Sequence, residues 1–366
     1  MNVIIAAGGT GGHIFPGIAL AKEFVRRTGD AQIRFVGTER GLEKKLVPNA
    51  GFPLTFIPSG ALKNVSLGRR LASLAKMPAG FLAAARLLNQ FRPDVVIGVG
   101  GYASGVMTLT AALCGAPTLA VELNALPGFT NRVLAPFVRA AAITYREAAA
   151  YFPNKSALTG TPVRAEFERL PARTRTAFEN VLVFGGSQGA HAINQAMIEA
   201  AKRFGEIGVN IRVMHQTGEK DFEAVQAAYA AAGVRAEVRP FINDMAAAFA
   251  DADLLICRAG AATAAEIAAA GKAAIFIPFP QASDDHQRKN AEAFVRVGAG
   301  KMILQADATG ARLAQEIQSL LAAPDEIARM EAASRSLAVP NAAQKTVDLA
   351  LKLVRNEPIS ELLIAG

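Results

Sequence analysis

The stretch that most constrains this chain lies at its N-terminus. An apolar run, Val3-Ile4-Ile5, leads into Ala6-Ala7-Gly8-Gly9-Thr10-Gly11-Gly12-His13, and Ile14 to Ala21 continue with the composition of a helix. A buried strand, a glycine turn and a helix start aim several backbone N–H groups and the positive helix end at one place, which makes an anion site. The device recurs as Val95-Val96-Ile97-Gly98-Val99-Gly100-Gly101-Tyr102, and again as Val181-Leu182-Val183-Phe184-Gly185-Gly186-Ser187-Gln188-Gly189. Strand-like runs alternate with helical segments throughout, the pattern of parallel α/β layers. The expected strands are 3–6, 33–36, 54–57, 95–98, 117–121 and 141–145, then 181–184, 212–216, 236–240, 254–257, 274–277 and 302–304. The stretch 160–175 breaks this alternation with charge and proline and reads as an interdomain linker. The expected fold class is therefore α/β: two Rossmann-like, doubly wound domains facing across a cleft, with ligands at the carboxyl ends of the strands.

Length and composition narrow the class. At 366 residues, 51% hydrophobic and 19% charged, the chain has material for two cores. It holds no uninterrupted apolar run of about 18 residues, and no basic-then-apolar leader precedes the first strand, so neither a span nor a signal peptide is expected. Cys114 and Cys257 are isolated in apolar surroundings, which gives neither a disulfide framework nor a zinc pattern and suggests a reducing compartment. A net charge of +8 points to acidic partners. The charges are not in blocks and aromatics do not interleave with them, so nucleic acid ranks below phosphorylated ligands and anionic lipid.

Two rival chemistries fail on detail. Counting a dinucleotide fingerprint from Gly9 puts Ile14 where its third glycine belongs, and the lysine of a P-loop is absent. Glu39 follows the second strand but reads equally as a solvated loop charge. His13, one of four histidines, stands at a helix N-terminus, where the imidazolium is disfavoured and a neutral ring can accept a proton. The plainer reading is a ring that bonds backbone. Cys257-Arg258-Ala259-Gly260 opens another helix and puts Glu266 in its first turn, as a ribose ligand or as a dipole-stabilising acid. Pro278 to Asn290 gathers donors and acceptors suited to sugar hydroxyls; adjacent Asp284 and Asp285 do not form a spaced metal motif, so no metal and no cofactor is expected. In the helix expected over 67–91, Leu67, Leu71, Leu74, Met77, Phe81 and Leu82 form a stripe flanked by Arg69, Arg70, Lys76 and Arg86. That stripe is either core or a surface seeking anionic lipid.

Taken together, Gly8 to His13, Gly100-Gly101-Tyr102, Gly185 to Gly189 and Arg258 through Glu266 resemble the MurG family of peptidoglycan glycosyltransferases, in the right order across the whole chain. The resemblance implies the GT-B architecture: an acceptor- and membrane-facing domain 1–163, a UDP-sugar domain 164–340, and a C-terminal helix, 341–366, that returns to the first domain. It implies inverting, metal-independent transfer from UDP-N-acetylglucosamine to undecaprenyl-diphosphate-linked muramoyl-pentapeptide in cell-wall synthesis. It also implies a peripheral enzyme on the cytoplasmic face of the membrane, in the company of other cell-wall synthesis proteins.

By position, donor contacts fall on Thr10, Gly11, Gly12, Asn124, Arg164, Ser187, Ile242, Ala261, Ala262, Thr263, Ala264, Ala265, Glu266 and Gln287. Acceptor contacts fall on Gly100, Gly101, Tyr102 and Glu122, and the base is His13. The chain departs from the family at Val121-Glu122-Leu123-Asn124, where His-Glu-Gln-Asn is usual, which points to altered acceptor contacts. A related GT-B glycosyltransferase acting on a small-molecule or glycolipid acceptor and a silent nucleotide-sugar-binding subunit are the competing readings.

Overall fold

The computed structural model describes all residues except Arg40, 61–65, 173–177, Ser187, 283–284 and 365–366. The chain divides into two compact units: Met1–Arg164 with Val339–Gly366, and Ala165–Ala338.

In the first unit, β1 (Asn2–Ala7), β2 (Gln32–Gly37), β3 (Leu54–Phe56), β4 (Val95–Gly100), β5 (Thr118–Glu122), β6 (Ala140–Ile143) and β7 (Ser156–Leu158) form one parallel sheet, ordered β3-β2-β1-β4-β5-β6-β7. The connecting helices are α1 (Gly11–Thr28), α2 (Glu43–Asn49), α3 (Leu67–Phe91), α4 (Tyr102–Leu113) and α5 (Phe129–Leu134). Strands β4, β5 and β6 are buried along their whole length, which is why they read as continuous apolar runs rather than as alternation. Strand order reverses between β1 and β4, and the two glycine turns Gly8–Thr10 and Gly100–Gly101 lie side by side at that point. Strand β7 was not expected: three residues are too few to show a period.

The second unit begins with α6 (Ala165–Glu168). Its strands β8 (Asn180–Phe184), β9 (Arg212–Gln216), β10 (Arg235–Arg239), β11 (Leu254–Cys257), β12 (Ala273–Phe276) and β13 (Gly300–Met302) are again all parallel, ordered β10-β9-β8-β11-β12-β13. Helices α7 (His191–Phe204), α8 (Phe222–Ala231), α9 (Met245–Asp251), α10 (Ala261–Ala270), α11 (His286–Arg296), α12 (Gly310–Leu321) and α13 (Pro324–Leu337) cover both faces. Here the switch lies between β8 and β11. Strand β13 starts two residues before the expected 302–304; its pairing with β12 begins at Gly300, where a Cβ would crowd the Phe276 ring at 2.9 Å.

After α13 the chain rejoins the first unit as α14 (Ala342–Val354), which packs on α1 and pairs Asp348 with Arg27 at 2.5 Å. Ile364 N donates to Ser156 O at 2.9 Å and ties the C-terminus to β7.

Helix α3 splits its apolar residues. Ala84 and Leu88 are buried and Phe81 packs against the core, but Leu71, Leu74 and Leu82 are exposed by 58, 44 and 53%. Leu71 and Leu74, from the first half of the stripe, are surface. Among the described residues no helix is long and apolar enough to cross a membrane.

Candidate active site

The first unit builds its site on the β1–α1 turn. Gly9 takes φ +91°, a conformation that suits glycine, and Thr10 caps α1 with extended backbone. The first N–H groups of a helix, here those of Gly11 and Gly12, precede any carbonyl the helix can offer them, whereas His13 N already donates to Thr10 O at 3.1 Å. Gly8 N donates to Gly100 O at 3.2 Å, so the turn is locked to the end of β4. Gly100 and Gly101 have φ of +131° and +90°, and α4 starts at Tyr102, itself 46% exposed. Two helix starts therefore converge on one switch point.

Both glycines at the end of β4, Gly100 and Gly101, are favoured by contact as well as by backbone. A Cβ on Gly100 would lie 2.6 Å from His13 Cδ2, and one on Gly101 would lie 2.5 Å from Gly8 O. The half-buried His13 ring thus lies against Gly100, with Nδ1 3.3 Å from Gly8 O. A carbonyl only accepts, so this bond calls for a hydrogen on Nδ1, and a neutral ring that makes it holds its lone pair on Nε2. That tautomer is the one a base needs.

The acid that touches this turn is Glu43, not anticipated from the sequence; Glu39 is exposed. Glu43 is fully buried at the start of α2. Its Oε2 accepts from Gly9 N at 3.0 Å, and its Oε1 accepts from Thr38 N and Thr38 Oγ1 at 2.8 and 2.9 Å. The available signal was the cluster of Gly37 and Gly41 around it: a Cβ on Gly37 would come 2.6 Å from Glu43 Cγ.

Glu122 is 2% exposed and faces inward. Its two oxygens accept from Asn124 N (2.9 Å), Asn124 Nδ2 (3.1 Å), Gly128 N (3.1 Å) and Asn131 Nδ2 (2.8 Å). Burial pushes this carboxyl above the usual carboxylate range, against the pull of those bonds. Glu122 holds the 124–131 loop in place. Val121 and Leu123 are buried too, at 1 and 2% exposure, so the departures from the family pattern sit in the core. Arg164 stands with its guanidinium 4.9 Å from the Phe15 ring, against the first turns of α1.

The second unit repeats the design. After β8 the chain turns through Gly186 (φ +93°) and Gly189 (φ +73°) into α7; Ser187 lies outside the described residues. Gln216, buried at the end of β9, was not anticipated. Its Nε2 donates to Gly186 O at 2.7 Å, and its Oε1 accepts from Ile242 N at 2.9 Å. The Ile242 N–H is therefore committed, and a ligand would meet this residue through its carbonyl or side chain.

Helix α10 starts at Ala261, after Gly260 in extended backbone, so Glu266 is its sixth residue and not in the first turn as expected. The residue is largely buried, at 8% exposure, rather than set at the helix end. Ala261, Ala262, Thr263 and Ala265 are half-buried, whereas Ala264 is fully buried in the core and presents no side chain outward. Gln287 Oε1 accepts from Phe279 N at 3.0 Å, which fixes this side chain at the start of α11.

Arg258 bonds Ile277 O (2.9 Å), Pro278 O (3.1 Å) and Gln305 Oε1 (2.7 Å), and burial lowers its pKa to about 10. It knits three loops together at the end of the sheet. Among the described residues no group of three or more His, Cys, Asp and Glu side chains could hold a metal ion.

Comparison with known proteins agrees with this arrangement. Residues 3–143 match the glycosyltransferase family 28 N-terminal domain, and residues 180–346 match its C-terminal domain. The chain is 46% identical over 357 residues to the UDP-N-acetylglucosamine–N-acetylmuramyl-(pentapeptide) pyrophosphoryl-undecaprenol N-acetylglucosamine transferase of Myxococcus xanthus (strain DK1622), covering 97% of this chain and 93% of that one. It is 46% identical over 358 residues to the protein of the same description from Syntrophus aciditrophicus (strain SB), covering 97% and 99%. The crystal structure of Acinetobacter baumannii MurG superposes with a TM-score of 0.78 at 35% identity, covering 96% of this chain and 99% of that one.

Proposed function

The chain belongs to glycosyltransferase family 28, with the GT-B fold of two Rossmann-like units, and on that premise we propose that it transfers N-acetylglucosamine from its UDP conjugate to a muramoyl-pentapeptide carried on undecaprenyl diphosphate. The observation that carries this reading is the pair of switch points, one per unit, each with glycine turns and helix N-termini suited to a diphosphate.

The roles follow from position. Residues 164–340 take the donor: the 185–190 turn with Ser187 meets its diphosphate, Glu266 its ribose, the Ile242 carbonyl its uracil, and Gln287 its sugar. Thr263 and the backbone of 261–265 line the same strand end. Residues 1–163 take the acceptor. The amides after Gly101 and around Gly11 and Gly12 hold its diphosphate beside Tyr102, while Asn124, set by Glu122, meets the donor's N-acetylglucosamine. Arg164 braces α1 through Phe15. The tail 341–366 completes the first unit through α14.

In the reaction, His13 Nε2 takes the proton of the muramoyl 4-hydroxyl as that oxygen bonds to the anomeric carbon. The bond from that carbon to the diphosphate breaks with its electron pair on UDP, and configuration inverts. A positioned base of this kind contributes roughly 10²–10⁴ in rate. The exposed Leu71, Leu74 and Leu82 of α3, with Arg70 and Lys76 on the same helix, seat the first unit on an anionic cytoplasmic membrane face.

The test combines purified protein, labelled UDP-N-acetylglucosamine and lipid-linked acceptor, with and without chelator. One UDP per disaccharide product is expected in both conditions, with kcat lowered about 10²–10⁴-fold in His13→Ala. Absence of product from the wild type overturns the reading. Equal turnover of an acceptor lacking the diphosphate moves it to the smaller-acceptor class.

A further inference from the structure

The carbonyl of Gly8 and the N–H of Gly9 are the two ends of a single peptide group, and that group is trans. One end faces His13 Nδ1 at 3.3 Å; the other donates to Glu43 Oε2 at 3.0 Å. An unbroken line of hydrogen bonds therefore runs from the imidazole through one amide to a fully buried carboxylate. We propose that Glu43 is a positioning residue for His13, acting through the Gly8–Gly9 peptide as a carboxylate acts directly on histidine in a base dyad. This inference rests on the reading of His13 as the base.

The chemistry is that of a polarised chain. A carboxylate on the N–H side draws the amide proton and raises electron density on the carbonyl oxygen, which strengthens the bond from Nδ1–H. That bond holds the hydrogen on Nδ1 and the lone pair on Nε2. It strengthens again when Nε2 takes a proton and the ring becomes cationic, so it favours the protonated product of the transfer step. The transferred proton stays on Nε2; the peptide and Glu43 move none.

The surrounding sequence is shaped to this line. The Glu43 carboxyl cannot swing away, because Thr38 donates to its other oxygen twice, at 2.8 and 2.9 Å. A Cβ on Gly8 would press on Glu43 Oε1 at 3.0 Å, and one on Gly41 would overlap the carboxylate outright. At the other end, Cβ atoms on Gly100 and Gly101 would strike the His13 ring and the Gly8 carbonyl. Leu42 N also donates to Gly9 O at 3.3 Å, so the β2–α2 connection grips the turn on both sides of Gly9.

The test is Glu43→Gln. Its amide oxygen keeps the Thr38 donors, while its NH₂ meets the Gly9 N–H donor to donor, so the line is cut with the volume preserved. The expected result is a fall in kcat of about 10-fold or more, with UDP affinity unchanged. In the His13→Ala background the same change should cost less than about twofold, because both residues act through one line. Side-chain ¹⁵N spectra should show His13 of the wild type protonated at Nδ1 and bare at Nε2, with the Glu43→Gln variant moved towards the other tautomer.

The inference is overturned by kcat within twofold of wild type, by losses that multiply in the double variant, or by an unmoved tautomer. A wild-type His13 protonated at Nε2 overturns it without any variant. Wild-type kcat in His13→Ala removes the base reading itself, an outcome separate from failure of Glu43→Gln alone.

Discussion

His215 shows how a single residue ties the second unit to pH. It is fully buried beneath the β8–α7 turn. Its Nδ1 lies 2.8 Å from Tyr229 OH, and its Nε2 lies 3.0 Å from Asn194 Oδ1. The amide oxygen can only accept, so Nε2 holds a hydrogen, and in the neutral ring Nδ1 accepts from the Tyr229 hydroxyl. Burial, opposed in part by Asp221, lowers its pKa from 6.5 to about 3. Between these values the unfolded chain binds a proton that the fold refuses, so stability rises with pH. The contribution is fully present above 6.5 and is lost as pH falls towards 3. The slope is about 1.4 kcal/mol per pH unit. Urea melts at pH 7.5 and pH 5 should show the wild type losing about 2 kcal/mol more than His215→Gln. Equal losses in the two proteins would exclude His215 as the source.

At the scale of elements, α3 carries two jobs along one helix. Its C-terminal half turns Ala84 and Leu88 to the core, and its N-terminal half leaves Leu71 and Leu74 exposed between Arg70 and Lys76. Basic residues near an anionic bilayer contribute about 1 kcal/mol each, screened within about 10 Å by salt. Arg70→Ala with Lys76→Ala should weaken sedimentation with anionic vesicles by about 30-fold and leave uncharged vesicles unaffected. Leu71→Ser with Leu74→Ser should weaken both, since the apolar contact does not depend on lipid charge. Undiminished binding in both variants would take α3 out of the membrane contact. At Gly100, Gly101 and Gly189 a positive φ coincides with a close contact that a Cβ would break, whereas at Gly9 and Gly186 the backbone conformation alone favours glycine.

For the whole molecule, the two units have separate cores, and the C-terminal tail belongs to the first of them. A ligand that binds one folded unit stabilises that unit by mass action, by about 2.7 kcal/mol at 100-fold excess over Kd. With UDP held by residues 165–338, calorimetry should show the transition of that unit rising while the transition containing α1 and α14 stays in place. Removal of 339–366 should do the reverse. It strips α14 from α1 and the Ile364 bond from β7, lowering the first transition and leaving the UDP-dependent shift intact. A UDP shift confined to the first unit would reverse the assignment of donor and acceptor.

The parallel α/β class, the glycine turns at strand ends and the place of His13 in a first helical turn were legible from local order alone. Apolar runs with glycine at their ends can be satisfied in few ways, and a histidine in a first helical turn has a known electrostatic setting. Strand β7 was beyond that reach, being three residues held by pairing rather than by pattern. Also beyond reach were the residues that act across the sheet. Glu43 stands 34 positions from Gly9 and Gln216 stands 30 from Gly186, and each resembles an ordinary polar residue until packing removes water from around it. Glu122 was expected among the acceptor contacts from the family resemblance; only the fold turned both of its oxygens onto Asn124, Gly128 and Asn131. Sequence determined where backbone could receive an anion, because that depends on residues adjacent in the chain. Tertiary structure alone decided which carboxylates hold those turns in place, because a buried charge takes its role from partners that distance in sequence does not reveal.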